Sequence, residues 1–328
     1  MMWFVACCAL MSGADSEPAQ PTPSTAVIVV VGEPGEAQYA EMFANWADRW
    51  KEATAKGESS FTCIGLTSAD LAKQEDREIL RETLAALAKE PPETLWVVLI
   101  GHGTFDGKKA KFNLRGADIT ATELAERLAP LSCRTAIINC ASASGPFVSE
   151  LAQANRVVLA ATQSGYEQNF ARFGGYLSQA IGDAAGDLDK DGQTSLLEAW
   201  LAAAQQTQEY YDSDARLATE HSLLDDNGDD NGDGKGTPAD WFRGIHLIKR
   251  SKDATLPDGT FANQFILVPG EDALVLSAEQ REQRDALERQ LAELRQQKGE
   301  LAEGEYLNRL EAILLPLAKI YQSMEQPK

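Results

Sequence analysis

The sequence predicts an α/β protein: a doubly wound, mostly parallel sheet in an α/β/α sandwich, followed by a C-terminal helical hairpin. Three observations carry this. Ala26 to Val31 (AVIVVV) and Leu95 to Ile100 (LWVVLI) are unbroken apolar runs that end on glycine, the pattern of strands buried on both faces. Segments with helical spacing lie between such runs, and strand–helix alternation specifies parallel strands joined by crossover helices. Beyond residue 277, leucines recur at helical spacing without further strand patterns.

The elements follow in order. Ala26 to Val31 is the first strand, and Ala37 to Ala55 a helix with Tyr39, Phe43, Trp46 and Trp50 on its face. Phe61 to Leu66 is a strand. Ser68 to Lys89 is a helix with Ser68 as N-cap and Leu71, Ile79, Leu80, Leu84 and Leu87 along one side. Leu95 to Ile100 is the third strand, Thr120 to Leu128 a short helix and Thr135 to Asn139 the fourth strand. Pro146 to Ala154 is a helix and Arg156 to Ala161 the fifth strand. Phe173 to Ala185 and Ser195 to Tyr211 read as Ala-rich helices, and Phe261 to Val268 as one more strand. Ser277 with Gln280 forms a capping box. Leu287, Leu291, Leu294 and Leu301, then Leu307, Leu310, Leu314 and Leu317, mark two helices, with Gly299 and Gly304 at their turn and Pro316 expected to end or kink the second. The chain divides into a leader and linker (1–24), a main domain (25–270) and the hairpin (271–328).

Composition narrows the function. Lys+Arg 30 against Asp+Glu 50 gives −20, which excludes nucleic acid as a partner held by charge. No stretch past the N-terminus supplies the ~20 apolar residues of a membrane span. Met1 to Met11 is apolar, with small residues at Ser12, Gly13 and Ala14 and a polar, Pro-containing linker after them. That pattern predicts an exported protein, although the n-region lacks Lys and Arg. Phe4-Val5-Ala6-Cys7 adds a loose lipobox and an alternative lipid anchor. The mature chain keeps Cys63, Cys133 and Cys140, so at least one thiol stays free. Cys63 and Cys133 read as small buried residues at strand positions.

In doubly wound sheets the site lies beyond the carboxyl ends of the strands. Two ends carry chemistry. The third strand runs into Gly101-His102-Gly103, an imidazole flanked by glycines whose backbone lets a substrate approach. The fourth runs into Asn139-Cys140-Ala141-Ser142-Ala143-Ser144-Gly145, a thiol before a helix start. If adjacent, His102 activates Cys140 and later protonates the leaving amine. The plainer reading is a structural cysteine beside a loop histidine. His221 and His246 read as surface or packing residues.

Three blocks, VVLIGHGTFDG, AIINCASASG and VVLAATQSGYEQN, resemble the clan of cysteine peptidases that includes caspases, legumains and gingipains, over roughly Ala26 to Ile181. Lys111 to Ile119 is similar to the segment between the His and Cys blocks of bacterial caspase-like proteins. The resemblance implies a caspase-like fold and a Cys140–His102 dyad hydrolysing peptide or protein substrates. It also implies an oxyanion hole from the backbone N–H groups of Gly103 and Cys140, with Ser164 and Glu167 lining a specificity pocket. One departure matters. Relatives place a small residue between the last strand position and the Cys, whereas here Cys140 follows Asn139 directly. A one-residue shift turns a side chain to the other face, so Ala141 occupies the expected register. Ser142 or Ser144 facing His102 is an alternative, unusual for this fold. The His-to-Cys spacing is also shorter than the ~50 residues of caspases. Two readings follow: a cysteine endopeptidase (or a ligase or transamidase on the same acyl-enzyme logic), or a catalytically inactive calcium-binding scaffold.

Asp187 to Glu198 fits an EF-hand loop. Asp187, Asp189 and Asp191 stand at positions 1, 3 and 5, Gly192 at 6, the Gln193 carbonyl at 7, Ser195 at 9 and Glu198 at 12. A second candidate, within the acidic loop 224–240, takes Asp229, Asn231, Asp233, the Lys235 carbonyl, Thr237 and Asp240. There Asp is short for position 12, and Pro238 opposes an exiting helix. The cofactor expected is calcium, at one site with the second loop as another candidate. The C-terminal helices are the surface expected to support self-association.

Overall fold

The structure, a computed structural model, describes residues 24–66, 74–227, 236–249, 258–270 and 276–322. The leader, the Ser68 cap with Leu71, and Asp229, Asn231, Asp233 and Lys235 lie outside the described residues.

Five strands run parallel: β1 (Thr25–Val31), β2 (Ser60–Ile64), β3 (Thr94–Ile100), β7 (Arg134–Asn139) and β8 (Arg156–Ala160). Antiparallel β9 (Leu223–Asp225) and β10 (Thr237–Pro238) complete a seven-stranded sheet of order β10-β9-β8-β7-β3-β1-β2. A small three-stranded sheet of β4 (Gly103–Phe105), β5 (Ala110–Phe112) and β6 (Ile119–Thr120) follows β3. A ribbon of β11 (Phe242–Arg243) and β12 (His246–Leu247) lies later in the chain.

Strand parity builds two cores. Val27, Val29 and Val31 join Trp96, Val98 and Ile138 on one face, where α1 (Ala37–Lys56), α5 (Phe173–Ala180) and α6 (Leu196–Ser213) cover them with Phe43, Trp50, Leu177 and Trp200. Ile28, Val30, Val97 and Ile137 join the other face, under α2 (Asp76–Leu87), α3 (Ala121–Leu128) and α4 (Pro146–Leu151), which bring Leu80, Leu124 and Phe147. Helices on both faces of a mostly parallel sheet give the α/β/α sandwich the apolar runs predict. Each of these side chains is essentially fully buried, worth roughly 1.5–3 kcal/mol before the entropy of ordering is counted.

The predicted C-terminal hairpin is present as α7 (Ala278–Gln296) and α8 (Glu303–Gln322), with Ser277 and Gln280 forming the capping box. Arg134 secures α7 to the domain. Its guanidinium donates to the Asp285 carboxylate at 2.9 Å and to the Gln264 carbonyl at 3.1 Å, and lies over the rings of Phe261 and Phe265.

Four expectations change. Phe261 to Val268 is not a strand; it folds as a short 3₁₀ turn at Ala262–Gln264 with one bridge, Ile266 to Ser195. Its apolar residues serve Arg134 and the α6 core instead of a ladder. Pro316 lies inside α8 without ending it, on an exposed side where water can satisfy the carbonyl its ring leaves free. Gly304 falls in the first turn of α8, not before it. Cys63 is exposed, because β2 is the sheet edge, and Cys133 is half-buried.

Candidate functional site

The sheet order puts β7 beside β3, so the His102 and Cys140 turns are neighbours. The two side chains nevertheless go separate ways. Cys140 continues the ladder past β7: its N–H donates to the Leu99 carbonyl at 2.9 Å. Its thiol therefore keeps the parity of Ala136 and Ile138 and enters the same core. It is 1% exposed, and α5 closes over it so tightly that a Cβ on Gly174 would stand 2.5 Å from Cys140 Cβ. Burial pushes the thiol up to about 12, since an apolar core disfavours the thiolate.

His102 is half-buried in an aromatic box. Tyr39, Phe43 and Phe170 present rings at 4.8, 5.3 and 6.0 Å from its centroid. Its Nε2 lies 3.2 Å from the Pro34 carbonyl, which makes Nε2 the protonated nitrogen. No hydrogen bond joins His102 to Cys140 among the described residues.

The expected oxyanion donors are also engaged. Cys140 N–H belongs to the sheet, and Gly103 N–H donates to Ser142 Oγ at 3.3 Å. The Ser142 hydroxyl in turn donates to the Gly103 carbonyl at 3.2 Å. Ser142 is buried and ties the two strand-end turns together. Ser144 is buried as well: its N–H donates to Thr162 Oγ1 at 2.8 Å, and its Oγ accepts from Thr162 N–H at 3.1 Å. Between the two serines Ala143 sits at φ 54, a left-handed conformation that costs a residue with a Cβ roughly 1–2 kcal/mol. Its N–H donates to the Glu167 carbonyl at 2.8 Å, which holds it there.

Ser164 and Glu167 do reach this turn. Ser164 lies on the loop after β8, its Oγ accepting from Tyr166 N–H. The Glu167 carboxylate accepts from Gln163 N–H at 2.8 Å and meets His221 Nδ1 at 2.5 Å. His221, read from the sequence as a surface or packing residue, is thus the polar partner the reading missed. It is contributed by the segment entering β9, 54 positions from Glu167. Its only sequence signal is its place just before the apolar Leu223-Leu224. His246 is exposed on β12. Tyr166, beside Glu167, is 76% exposed and meets Phe105 edge-on at 5.2 Å.

The EF-hand-type loop is a separate cluster. Oxygens of Asp187, Asp189 and Asp191 lie within 4.8 Å of one another. Asp187 accepts from Gly192 N–H at 3.1 Å, and Gly192 takes φ 89, as a tight turn at position 6 requires. Burial, then the carboxylates of Asp189, Glu198 and Asp187, raise the Asp191 carboxyl. Glu198 caps α6 with Ser195 and accepts from Leu188 N–H at 2.7 Å, so it draws the two ends of the loop together. Gln193, expected from the sequence to offer its carbonyl at position 7, donates its N–H to Asp191 Oδ1 at 2.9 Å. In the second candidate, Asp240 pairs with Lys249 at 2.9 Å.

No family model matches the chain, and no curated protein matches it. Among solved structures, it is similar to the initiator caspase Dronc of Drosophila, at 13% identity and a TM-score of 0.41, over 65% of this chain and 81% of that one. It is similar to caspase-1 from Spodoptera frugiperda at 10% identity and a TM-score of 0.40, over 67% and 94%. A protein of Geobacter sulfurreducens matches at 13% identity and a TM-score of 0.39, over 61% and 92%.

Proposed function

We propose that the chain is a caspase-type scaffold that recognises peptide or protein at the carboxyl ends of its strands without using Cys140 as a nucleophile. The burial of Cys140 in the sheet core carries this reading. An endopeptidase, a ligase and a transamidase of the Cys–His type all need its thiolate, so the burial of Cys140 counts against all three alike. The loop after β8 offers the recognition surface: exposed Tyr166 backed by Phe105, with the Glu167–His221 pair beside it. A flat aromatic with polar groups alongside suits an extended peptide segment.

The test profiles the purified chain with calcium against a mixed fluorogenic peptide library, beside Cys140→Ala and His102→Ala. The expected result is no turnover that depends on Cys140. Turnover lost in both variants would restore the dyad.

Calcium belongs to the same proposal. The converging carboxylates of Asp187, Asp189 and Asp191, with the Gln193 carbonyl and Glu198, provide the all-oxygen donors that a hard cation takes. When bound, the ion supplies charge neutralisation and holds the loop closed. The leader is read as an export signal; detection of an uncleaved chain in the cytosol would overturn that.

A further inference from the structure

We propose that α8 is a self-pairing surface through which two copies of the chain associate antiparallel, crossing at Leu315. This surface belongs to the helix alone and is independent of the strand-end site.

Tyr306, Leu310, Ile313, Leu317 and Ile320 alternate at spacings of three and four and are the half-buried or buried residues of α8. That is the stripe of a helix laid on one neighbour, here α7. The opposite side carries Leu307, Glu311, Leu315 and Lys319, a row at four-residue spacing, flanked by Leu314. Leu307, Leu314 and Leu315 are 51%, 41% and 54% exposed. Isolated exposed leucines are ordinary, but three on one helical side form a continuous patch of the kind that marks an interface.

The charges of the row select the occupant. Glu311 and Lys319 lie four residues to either side of Leu315. Two such rows crossing antiparallel at Leu315 set each Glu311 opposite the partner's Lys319, twice by symmetry. Parallel crossing sets Glu311 against Glu311 and Lys319 against Lys319. The row is therefore self-complementary in one orientation only, as an isologous two-fold interface requires. Arg309 is already paired with Glu305, whereas Glu311 and Lys319 have no ion-pair partner among the described residues. Antiparallel helix dipoles add a small favourable contribution. Rows at i±4 interlock at roughly 50°, so the contact spans a few turns. Its area falls at or below the low end of stable interfaces, ~1,200 Å², and the dissociation constant is expected in the range of tens of micromolar, ~6 kcal/mol.

Sedimentation velocity of the purified chain between ~1 and ~200 µM tests this. A reversible monomer–dimer equilibrium is expected. Leu315→Glu, which places two carboxylates at the crossing, should weaken it by at least ~10-fold with unchanged far-UV circular dichroism. Glu311→Lys and Lys319→Glu should each weaken it several-fold, and the double variant should return to within ~2-fold of the native value. The double variant keeps the proposal testable even if Leu315→Glu disturbs the helix. A monomer throughout the range overturns the proposal, as does a dimer indifferent to Leu315→Glu, which would place the contact elsewhere. A double variant that stays weak overturns the antiparallel orientation. Pairing of α8 with a different protein while the chain alone stays monomeric also counts against it.

Discussion

The most direct test of the site is the chemistry of the Cys140 thiol. With its pKa pushed up to about 12, about one molecule in ~30,000 carries thiolate at pH 7.5, against about one in ten for an ordinary cysteine near 8.5. The higher pKa makes each thiolate more nucleophilic, with a Brønsted slope near 0.4–0.5, which recovers a factor of ~40. Ionisation alone thus slows alkylation by about 100-fold. Access limits it as well, because α5 closes over the sulfur at Gly174 and reagent must await an opening of the core. In the opened state the thiol recovers its ordinary pKa, so an opening that costs ~3 kcal/mol slows labelling by about 150-fold relative to the unfolded chain, the same order as the closed-state ionisation penalty. The assay is timed iodoacetamide labelling in native buffer and in urea, followed by mass spectrometry of the peptide carrying Cys140. Labelling of Cys140 in native buffer at a rate within ~10-fold of the urea rate would refute both the burial argument and the function built on it.

Three further outcomes are expected. Asp285→Ala strips a carboxylate partner from both Arg134 and Arg284 and should cost about 3–5 kcal/mol in urea unfolding; Arg134→Met with Asp285→Leu should cost less, because the Arg134 charge is gone and only Arg284 remains, with Glu288 at 3.9 Å as its partner. Calcium at ~100 times its dissociation constant should stabilise the fold by about 2.7 kcal/mol, an effect that Asp187→Asn with Asp189→Asn removes; a melting temperature identical in calcium and chelator would exclude the site. The Asp226 carboxyl is raised well above its usual range by burial and by the nearby Asp258 carboxylate, so the folded state binds this proton more tightly than the unfolded chain. Its contribution is fully present below the unfolded value of ~3.9 and is lost as pH rises through the raised folded value. Melting temperatures of the native chain and Asp226→Asn compared across acidic to neutral pH should therefore diverge in that direction, and parallel curves would contradict it.

How far the sequence reveals the fold depends on which residues carry their own pattern. AVIVVV and LWVVLI declare buried parallel strands because both of their faces are covered, and the α7 cap is local chemistry between Ser277 and Gln280. Phe261 to Val268 has the composition of a strand but receives the Arg134 guanidinium, a long-range partner that no window of sequence contains. His221 reaches Glu167 only because β9 returns antiparallel beside β8. The direction of Cys140 turns on a single hydrogen bond. Had the ladder stopped at Asn139, the thiol would be free to face the site; Cys140 N–H to the Leu99 carbonyl extends the ladder by one residue and commits it to the core.

That extra residue has a consequence for the turn beyond it. Cys140 is fixed to the core, so the chain must reverse between Ala141 and Gly145, and it does so through Ala143 at φ 54. Ala141 N–H donates to Asn139 Oδ1, Ala143 N–H to the Glu167 carbonyl, and the Ser144 and Gly145 N–H groups to Thr162 Oγ1. These bonds hold the strained residue in place and leave the Ser142 hydroxyl to bind Gly103. The loop that offers Tyr166 to solvent is therefore bonded, through the Glu167 carbonyl, to the turn that carries Ser142. A continuous set of hydrogen bonds thus joins the Glu167 carbonyl, the Ala143 N–H, the Ser142 hydroxyl and the Gly103 backbone, and the geometry of the His102 turn is held by these contacts whether or not either side chain performs chemistry.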